Sequence, residues 1–252
     1  MIFKNTAKQV FPARGLAYNF EDKNKTRDKN RNKNRAGPGR QMLELNNITL
    51  GFGQTPLFSG LTLAIRPGEI CLLTAPSGAG KSSLLRWIAG LDTPGLVASG
   101  EVWLNGQAMA GYPAEARHIG LLFQSPLLFP HLNVADNLGF GLARSVTGEA
   151  RRTAIDAALA RAGLDGMGPR DPHTLSGGQQ ARLALLRSLL AEPKALLLDE
   201  PFSSLDGRRR AEMVALVREE ARRLSLPILL VSHDPRDEAV TDTPPVRLDA
   251  LG

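Results

Sequence analysis

The sequence predicts an α/β fold in which a mostly parallel sheet is flanked by helices. Three short apolar runs, 118–123, 195–199 and 227–231, have the length and composition of strands that are buried on both faces. Amphipathic helical sequence lies between them, and such alternation of strand and helix is typical of parallel sheets. A fourth apolar run, 69–74, ends in a glycine-rich turn that leads directly into helical sequence.

The first elements after residue 41 are predicted to be antiparallel strands. Apolar residues alternate with polar ones between Leu43 and Leu50, and again between Leu61 and Ile65 after a turn that contains glycine and proline. Such alternation indicates strands with one buried face. We expect these strands to form a small antiparallel β subdomain.

Four helices are predicted from apolar residues that recur at helical spacing. In chain order they are 82–91 with Leu84, Leu85, Ile88 and Leu91 on one face, a helix around Ile155, Ala158, Leu159 and Ala162, a helix over 179–191, and a helix with Met213, Leu216, Val217 and Leu224 inward. A helical subdomain is predicted over about 125–190. Trp87 and Trp103 are expected in the core, and Arg208–Arg210 are expected to be a solvated helix start.

Length and composition fit one domain with a hydrophobic core. The chain has 252 residues, of which 42% are hydrophobic, and this is cramped for two independent domains. The single cysteine, Cys71, excludes an internal disulfide and indicates a buried strand residue in a reducing compartment, by default the cytosol. No stretch approaches the roughly 20 apolar residues of a membrane-spanning helix, so any membrane role is expected to be peripheral.

The basic character of the chain is concentrated at its start. Residues 1–41 carry 11 Lys and Arg against 3 Asp and Glu, whereas residues 42–252 carry 20 against 22. Residues 21–40 are rich in Asn, Lys and Arg and almost without apolar residues, which is typical of disorder. We predict a basic, disordered extension over 1–41, with Met42 as a candidate true start, and a single domain over 42–252. Because that domain is slightly acidic, no nucleic-acid partner is expected.

The strongest chemical feature is a glycine-rich loop between the strand at 69–74 and the following helix. It reads APSGAGKS over residues 75–82. A phosphate chain needs backbone N–H groups at a helix N-terminus, glycines that allow close approach, a lysine for the phosphate oxygens and a hydroxyl for Mg²⁺. Lys81 and Ser82 supply the last two. The usual pattern opens with glycine, so Ala75 departs from it, and a Cβ there would penalise a positive φ.

Two adjacent carboxylates end the apolar run 195–199. Ligands of open α/β sheets bind beyond the carboxyl ends of the strands, and Asp199 and Glu200 are expected there. Because adjacent side chains of an extended strand point in opposite directions, the two acids are predicted to have different roles. Asp199 suits Mg²⁺, directly or through water, and Glu200 suits the attacking water.

A second anion site is predicted at the start of the helix over 179–191. The sequence LSGGQ, residues 175–179, places Ser176 where it can cap that helix. Gly177 and Gly178 are expected to expose backbone N–H groups at the positive end of the helix dipole. Standing alone, these residues would fit an ordinary helix cap equally well.

Together these motifs resemble one family, the nucleotide-binding subunits of ABC transporters, over about residues 43–240. In the family's order, the matches are Phe52 at the place of an aromatic residue that stacks on adenine, APSGAGKS at the Walker A loop, Phe123 and Gln124 at the Q-loop, LSGGQ at the signature, LLLDEP (196–201) at the Walker B strand, Ser203–Asp206 at the D-loop, and Ser232 and His233 at the switch histidine. The resemblance implies a P-loop NTPase of the ABC type.

The resemblance implies that ATP, with Mg²⁺, is held between two subunits, the Walker residues of one facing the signature of the other. The catalytic residues would be Glu200, which polarises the water, His233, which senses the γ-phosphate, Gln124 and Lys81. The metal would be held by Ser82, Gln124 and Asp199. The nucleotide would be held by Phe52, Ala75, Pro76, Ser77, Gly78, Ala79, Gly80, Lys81, Ser82, Ser83, Ser176, Gly177, Gly178, Gln179 and Asp206, with Ser176 and Gly178 acting in trans.

The segment 121–142, LLFQSPLLFPHLNVADNLGFGL, resembles the Q-loop region of bacterial importers for small solutes such as thiamine, iron, polyamines and oxyanions. In those subunits this segment grips a short helix of the membrane protein. The resemblance implies an ATPase that energises small-solute import by ATP-driven dimer closure. The expected partners are a second copy or a paired ATPase subunit, integral membrane permease subunits and a solute-binding protein. The expected location is cytoplasmic, peripheral on the inner face of the cell membrane.

Two alternatives stay open at this stage. A non-transport ABC ATPase that acts on nucleic acid or ribosomes would give the basic extension a function, although such proteins usually carry coiled-coil insertions or tandem cassettes. A nucleotide-binding protein that scarcely hydrolyses ATP would follow from Ala75 alone, and Glu200 and His233 argue against it. The motifs do not identify the solute or separate import from export.

Overall fold

The computed structural model describes residues 42–248, which form two sheets and the helices that flank them. The strands are β1 Leu43–Phe52, β2 Thr55–Ile65, β3 Ile70–Thr74, β4 Leu96–Leu104, β5 Gln107–Ala108, β6 Ile119–Leu122, β7 Ala195–Asp199, β8 Ile228–Ser232 and β9 Val246–Arg247. The helices are α1 Lys81–Ala89, α2 Ala114–Arg117, α3 Val134–Gly139, α4 Gly148–Ala162, α5 Gly177–Leu190 and α6 Gly207–Leu224. The predicted α/β class is confirmed, and the predictions for residues 1–41 lie outside the described residues.

The smaller sheet is antiparallel and has the order β2-β1-β4-β5. Leu45 and Ile48 of β1 are both fully buried although they are three positions apart, because a bulge at Asn46 and Asn47 shifts the strand's alternation. Asn47 has a positive φ of 52°. Gly100 on β4 makes room for the bulge, since a Cβ there would lie 2.6 Å from the Asn47 carbonyl oxygen. The predicted antiparallel strands are confirmed.

The larger sheet is parallel and has the order β6-β7-β8-β3-β9. Every residue of β7 and β8 is buried, as expected for strands covered on both faces. The carboxyl ends of the central strands β7, β8 and β3 therefore lie along one edge, which brings together Asp199, Ser232 and Thr74. Of the functional residues predicted from the sequence, Asp199 lies at that edge, and Glu200 and His233 directly follow β7 and β8.

Helices α1 and α6 pack their apolar sides onto the core. Leu84, Leu85 and Ile88 of α1 are fully buried. That helix ends at Ala89, before the predicted Leu91, because Gly90 adopts a left-handed conformation and its N–H caps the last turn. On α6, Met213 is fully buried, as predicted.

Between β6 and β7 the described chain is mainly helical. It contains α3, α4, a 3₁₀ helix at Pro172–Thr174, and α5. Asn137 of α3 is fully buried, and its amide donates to the carbonyls of Phe129 and Leu132 at 3.1 and 3.0 Å. That the region of about 125–190 forms a separate helical subdomain stays a prediction.

Trp87 is partly buried and packs against the core, where it was expected. The interpretations of Trp103 and Arg210 were wrong. Trp103 was expected in the core but is only partly buried, and its indole donates to Glu101 at 3.0 Å. Arg210 is buried and ion-paired, although it was expected on a solvated helix start. Among residues 42–248, no helix has the length and apolar character needed to cross a membrane.

Candidate functional site

The loop between β3 and α1 forms the floor of the candidate site. Pro76, Ser77 and Gly78 are exposed. Gly80 precedes α1 in a left-handed conformation with φ 86°, and no side chain caps the helix. The first N–H groups of α1 are thus left for a ligand, and a helix N-terminus of this kind favours an anion.

Lys81 is buried and its ammonium folds back over this loop. Nζ donates to the carbonyl oxygens of Ala75 and Pro76 at 2.8 and 3.0 Å. It also lies 3.8 Å from Glu200 Oε1, so one cation joins the loop to the end of β7. This arrangement holds a positive charge where phosphate oxygens would enter.

Ala75 fits the loop without strain. It does not adopt a positive φ, and its methyl group is buried in the core cluster beneath the antiparallel sheet. The penalty expected for a Cβ at this position therefore does not arise. The departure from glycine removes neither the loop nor the carbonyl that Lys81 contacts.

Asp199 and Ser82 are placed together at the end of β7. Burial raises the pKa of Asp199, while hydrogen bonding from Ser82 lowers it; the charge of Glu200 raises this pKa and that of Lys81 lowers it. Within residues 42–248, no group of three or more His, Cys, Asp or Glu could by itself hold a metal. The donors present, a hydroxyl and a carboxylate, fit Mg²⁺, which takes few protein ligands and completes its shell with phosphate and water.

Glu200 stands just beyond the end of β7 in a left-handed backbone conformation with φ 46°. Its Oε1 lies 2.7 Å from His233 Nδ1, and its Oε2 accepts from Gln124 Nε2 at 3.5 Å. Glu200 was expected on an extended strand, and this was wrong, since β7 ends at Asp199. The two acids nevertheless have different partners, and their different roles stay a prediction.

The signature segment, Ser176–Gln179, caps α5 with its own side chains. The Gln179 N–H donates to Ser176 Oγ at 3.4 Å and the Ser176 N–H donates to Gln179 Oε1 at 2.9 Å, which makes a capping box. Gly177 is exposed, and a Cβ there would have no neighbour within 4 Å. Both glycines were expected to expose their backbone N–H groups, but Gly178 is buried, and the Arg209 side chain lies 3.1 Å from the position of its Cβ.

A family model described as "ABC transporter" matches residues 58–203, which is more than half of the chain. This match decides the family. The chain belongs to the ABC transporter ATP-binding subunits.

Relatives with described names agree with that assignment. The ABC transporter ATP-binding protein YnjD of Escherichia coli is 44% identical over 80% of this chain and 94% of its own length. The Fe(3+) ions import ATP-binding protein FbpC 1 of Rhizobium meliloti is 44% identical over 77% of this chain and 54% of its own length. The spermidine/putrescine import protein PotA of Methylococcus capsulatus is also 44% identical, over 77% of this chain and 50% of its own length. The chain thus spans about half the length of these two import relatives.

A solved structure agrees at the level of the fold. The cbiO1 protein of Clostridium perfringens, described as part of the ABC transporter complex cbiONQ, superposes with a TM-score of 0.67 at 28% identity. The match covers 78% of this chain and 80% of that one. The predicted P-loop NTPase fold of the ABC type is confirmed.

The remaining predicted ATP contacts of this ABC subunit lie on other elements. Phe52 ends β1 and is 39% exposed, as a stacking platform would require. Asp206 caps α6 by accepting the Arg209 N–H at 3.0 Å. Ser176 and Gln179 contact each other, and the Gln179 amide contacts Met167 Sδ at 3.8 Å. The structure therefore gathers the Walker, Q-loop and switch residues, while the signature bonds within its own region.

Sequence reasoning missed two features of this site. Ser203 Oγ accepts from Gln124 Nε2 at 3.4 Å and donates to the Glu200 carbonyl at 3.0 Å. The D-loop serine therefore contacts two of the candidate catalytic residues. Arg210 enters a buried charge cluster beside His233. The contacts of Gln124 with Ser203 and of Arg210 with Asp237 have no local signal, because each joins segments that are distant in sequence. The contact of Ser203 with Glu200, by contrast, spans only three residues.

Proposed function

We propose that this chain binds ATP with Mg²⁺ and hydrolyses it, and that the hydrolysis drives a membrane transporter that imports a small solute. The observation that supports hydrolysis best is the Glu200 carboxylate, which lies 2.7 Å from His233 Nδ1 and 3.8 Å from Lys81 Nζ. A carboxylate held between these groups at the sheet edge is suited to accept a proton from water.

The other residues act on the nucleotide. Lys81 exchanges its two loop carbonyls for phosphate oxygens, and the free N–H groups of α1 hold further phosphate charge. Ser82, Gln124 and Asp199 would hold Mg²⁺, which would neutralise phosphate charge when bound. Phe52 supports the adenine.

A second subunit completes the site. The signature of one copy faces the phosphates bound by the other, and Gly177 and Ser176 present their helix start to the γ-phosphate. Dipoles that reach the developing charge only on closure stabilise the transition state selectively. Either a second copy or a paired ATPase subunit fills this role.

The transport partner is an integral membrane permease, served by a solute-binding protein. This part rests on the import functions named for FbpC and PotA and on exposed apolar side chains after Gln124, where Leu127 and Phe140 are 57% and 65% exposed. A partner that covered these two side chains would remove their apolar surface from water, which would favour the contact. The chain would then lie on the inner face of the cell membrane, as a peripheral subunit.

The test is to express the gene with its chromosomal neighbours, recover what binds to the chain and measure ATPase activity. Glu200→Gln should lower the steady-state rate by about 100-fold or more, because the proton acceptor is lost. Glu192→Gln is the matched control, since Glu192 also has a positive φ, of 51°, and is exposed before β7.

A polytopic membrane protein in the recovered complex, together with Glu200-dependent hydrolysis, would support the proposal. Recovery of ribosomes or nucleic acid without a membrane protein would replace it with the non-transport alternative. Equal rates for Glu200→Gln and the unchanged chain would refute the assignment of Glu200.

A further inference from the structure

A buried charge cluster contacts the chain neighbours of His233. It consists of Ser232, Asp237 and Arg210, which are 2%, 2% and 7% exposed. The resemblance to ABC transporter subunits implied no catalytic or binding role for any of these side chains. Buried ionic groups of this kind are retained at a cost in desolvation, so their placement needs a reason.

The cluster connects in one direction to the backbone on both sides of His233. The Ser232 hydroxyl donates to Asp237 Oδ2 at 2.5 Å and accepts the backbone N–H of Asp234 at 3.0 Å. Ser232 is also fixed in the sheet, where it pairs with Thr74. The residues before and after His233 are therefore joined through one hydroxyl group.

The cluster also contacts two segments that follow Glu200 in the chain, one at Phe202 and one at the start of α6. Arg210 pairs with Asp237 Oδ1 and lies 3.1 Å from Asp234 Oδ2. Its guanidinium carbon is 5.8 Å from the centre of the Phe202 ring, which is fully buried two residues after Glu200. Arg210 also stands one helical turn after Asp206, whose carbonyl accepts its N–H at 2.8 Å.

His233 itself depends on this support. Its side chain is 49% exposed, so little packing fixes the ring, yet Nδ1 lies 2.7 Å from Glu200 Oε1. An exposed side chain keeps one rotamer only when its backbone is held and its partner is in place. The cluster holds the backbone of His233 and also contacts the segment that carries Glu200.

We propose that Ser232, Asp237 and Arg210 form a positioning network that keeps His233 in contact with Glu200, so that the histidine and the carboxylate act on the same γ-phosphate. The inference rests on the proposed ATPase function. Ser232 is the critical member, because its hydroxyl joins Asp237 of the buried ion pair to the backbone N–H just after His233, while its own backbone lies just before His233.

Ser232→Ala tests this by removing one oxygen atom from the complete chain. We expect kcat for ATP hydrolysis to fall about 10-fold, the effect of losing one buried hydrogen bond of roughly 1–1.5 kcal/mol. The KM for ATP should change by less than about twofold, since no phosphate contact is removed. Ser232→Thr, which keeps the hydroxyl, should restore kcat. Ser188→Ala is the control, because the Ser188 hydroxyl donates only to the Ala184 carbonyl, at 3.0 Å on α5.

A second readout follows the histidine itself. The chain has 4 His, so the ring nitrogens can be followed by ¹H–¹⁵N NMR and the His233 signal assigned with His233→Ala. Ser232→Ala should shift the Nδ1 signal of His233 and leave those of His118 and His173 in place. Asp237→Asn, which keeps the side-chain volume, should have the same effect on both readouts and serves if Ser232→Ala folds poorly.

An unchanged kcat, or an unchanged His233 signal, would overturn the proposal. Failure of Ser232→Thr to restore kcat would overturn it as well, because the hydroxyl would then not be the active feature. If hydrolysis proves independent of Glu200, the proposed function fails first. If hydrolysis depends on Glu200 while Ser232→Ala matches the unchanged chain, only the positioning network fails.

Discussion

The phosphate-loop side of the molecule and the signature segment differ in what satisfies their polar groups. Lys81 is buried between loop carbonyls and Glu200, and Glu200 is in turn contacted by His233 and Gln124. Gly177, by contrast, stands at the start of α5 with nothing within 4 Å of its Cβ position. One side is assembled by the chain itself, whereas the other is a helix start presented to solvent. Under the proposed function, such a division would keep nucleotide binding within one subunit and would make hydrolysis depend on a second.

The largest effect expected from this difference is a lower rate of ATP hydrolysis in the variant Gly177→Asp. The new side chain meets no neighbour, and an acid in the first turn favours the helix, so stability should be unchanged or slightly higher. A carboxylate facing the γ-phosphate of the other subunit should lower the ATPase rate by about 100-fold, because like charges repel strongly at a desolvated contact. ATP binding by the isolated subunit should be unaffected.

Gly177→Ala is the matched control, since it adds volume without charge. If Gly177→Asp hydrolysed ATP at the normal rate, the signature would not face phosphate, and the comparison between the two sides would fail.

The next largest effect is on binding, through Lys81→Ala. The ATP affinity of the isolated subunit should fall roughly 10- to 100-fold, since a hydrogen bond to a charged group contributes about 1.5–3 kcal/mol. Titration calorimetry would measure the affinity. Lys194→Ala is the control, because Lys194 is exposed before β7. An affinity equal to that of the control would show that the loop does not hold the phosphates.

The smallest effect is expected from Ala75→Gly. Because Ala75 has no positive φ and its methyl is buried, glycine should lower the free energy of unfolding by roughly 1 kcal/mol and leave ATP affinity within about threefold. Urea denaturation and the same calorimetric titration would measure the two quantities. A tenfold gain in affinity would mean that Ala75 restricts the loop after all.

Much of the sheet and the site was predictable because local pattern and local chemistry coincide there. The run 195–199 is an apolar strand that is buried throughout and that carries Asp199, and it forms β7 with the predicted bounds. Ser176 is followed three residues later by Gln179, and the predicted cap is a capping box. In each case the residues that decide the structure are neighbours in sequence.

What sequence reasoning missed depends on contacts between distant segments. Arg210 has the surroundings of a solvated helix start, flanked by Arg208 and Arg209, and only the approach of Asp237 makes it a buried residue. Gly178 is covered by Arg209 from another helix. The left-handed conformation of Glu200 has no signal in its neighbours either, since most residues in that conformation are glycine.

The left-handed backbone of Glu200 affects which substitutions selection would favour at this position. A side chain at φ 46° is strained by about 1 kcal/mol, and glycine at that position would relax it. Selection for a more stable protein and selection for the carboxylate thus act in opposite directions at one residue. A variant freed from the need to hydrolyse ATP would gain stability by replacing this acid with glycine.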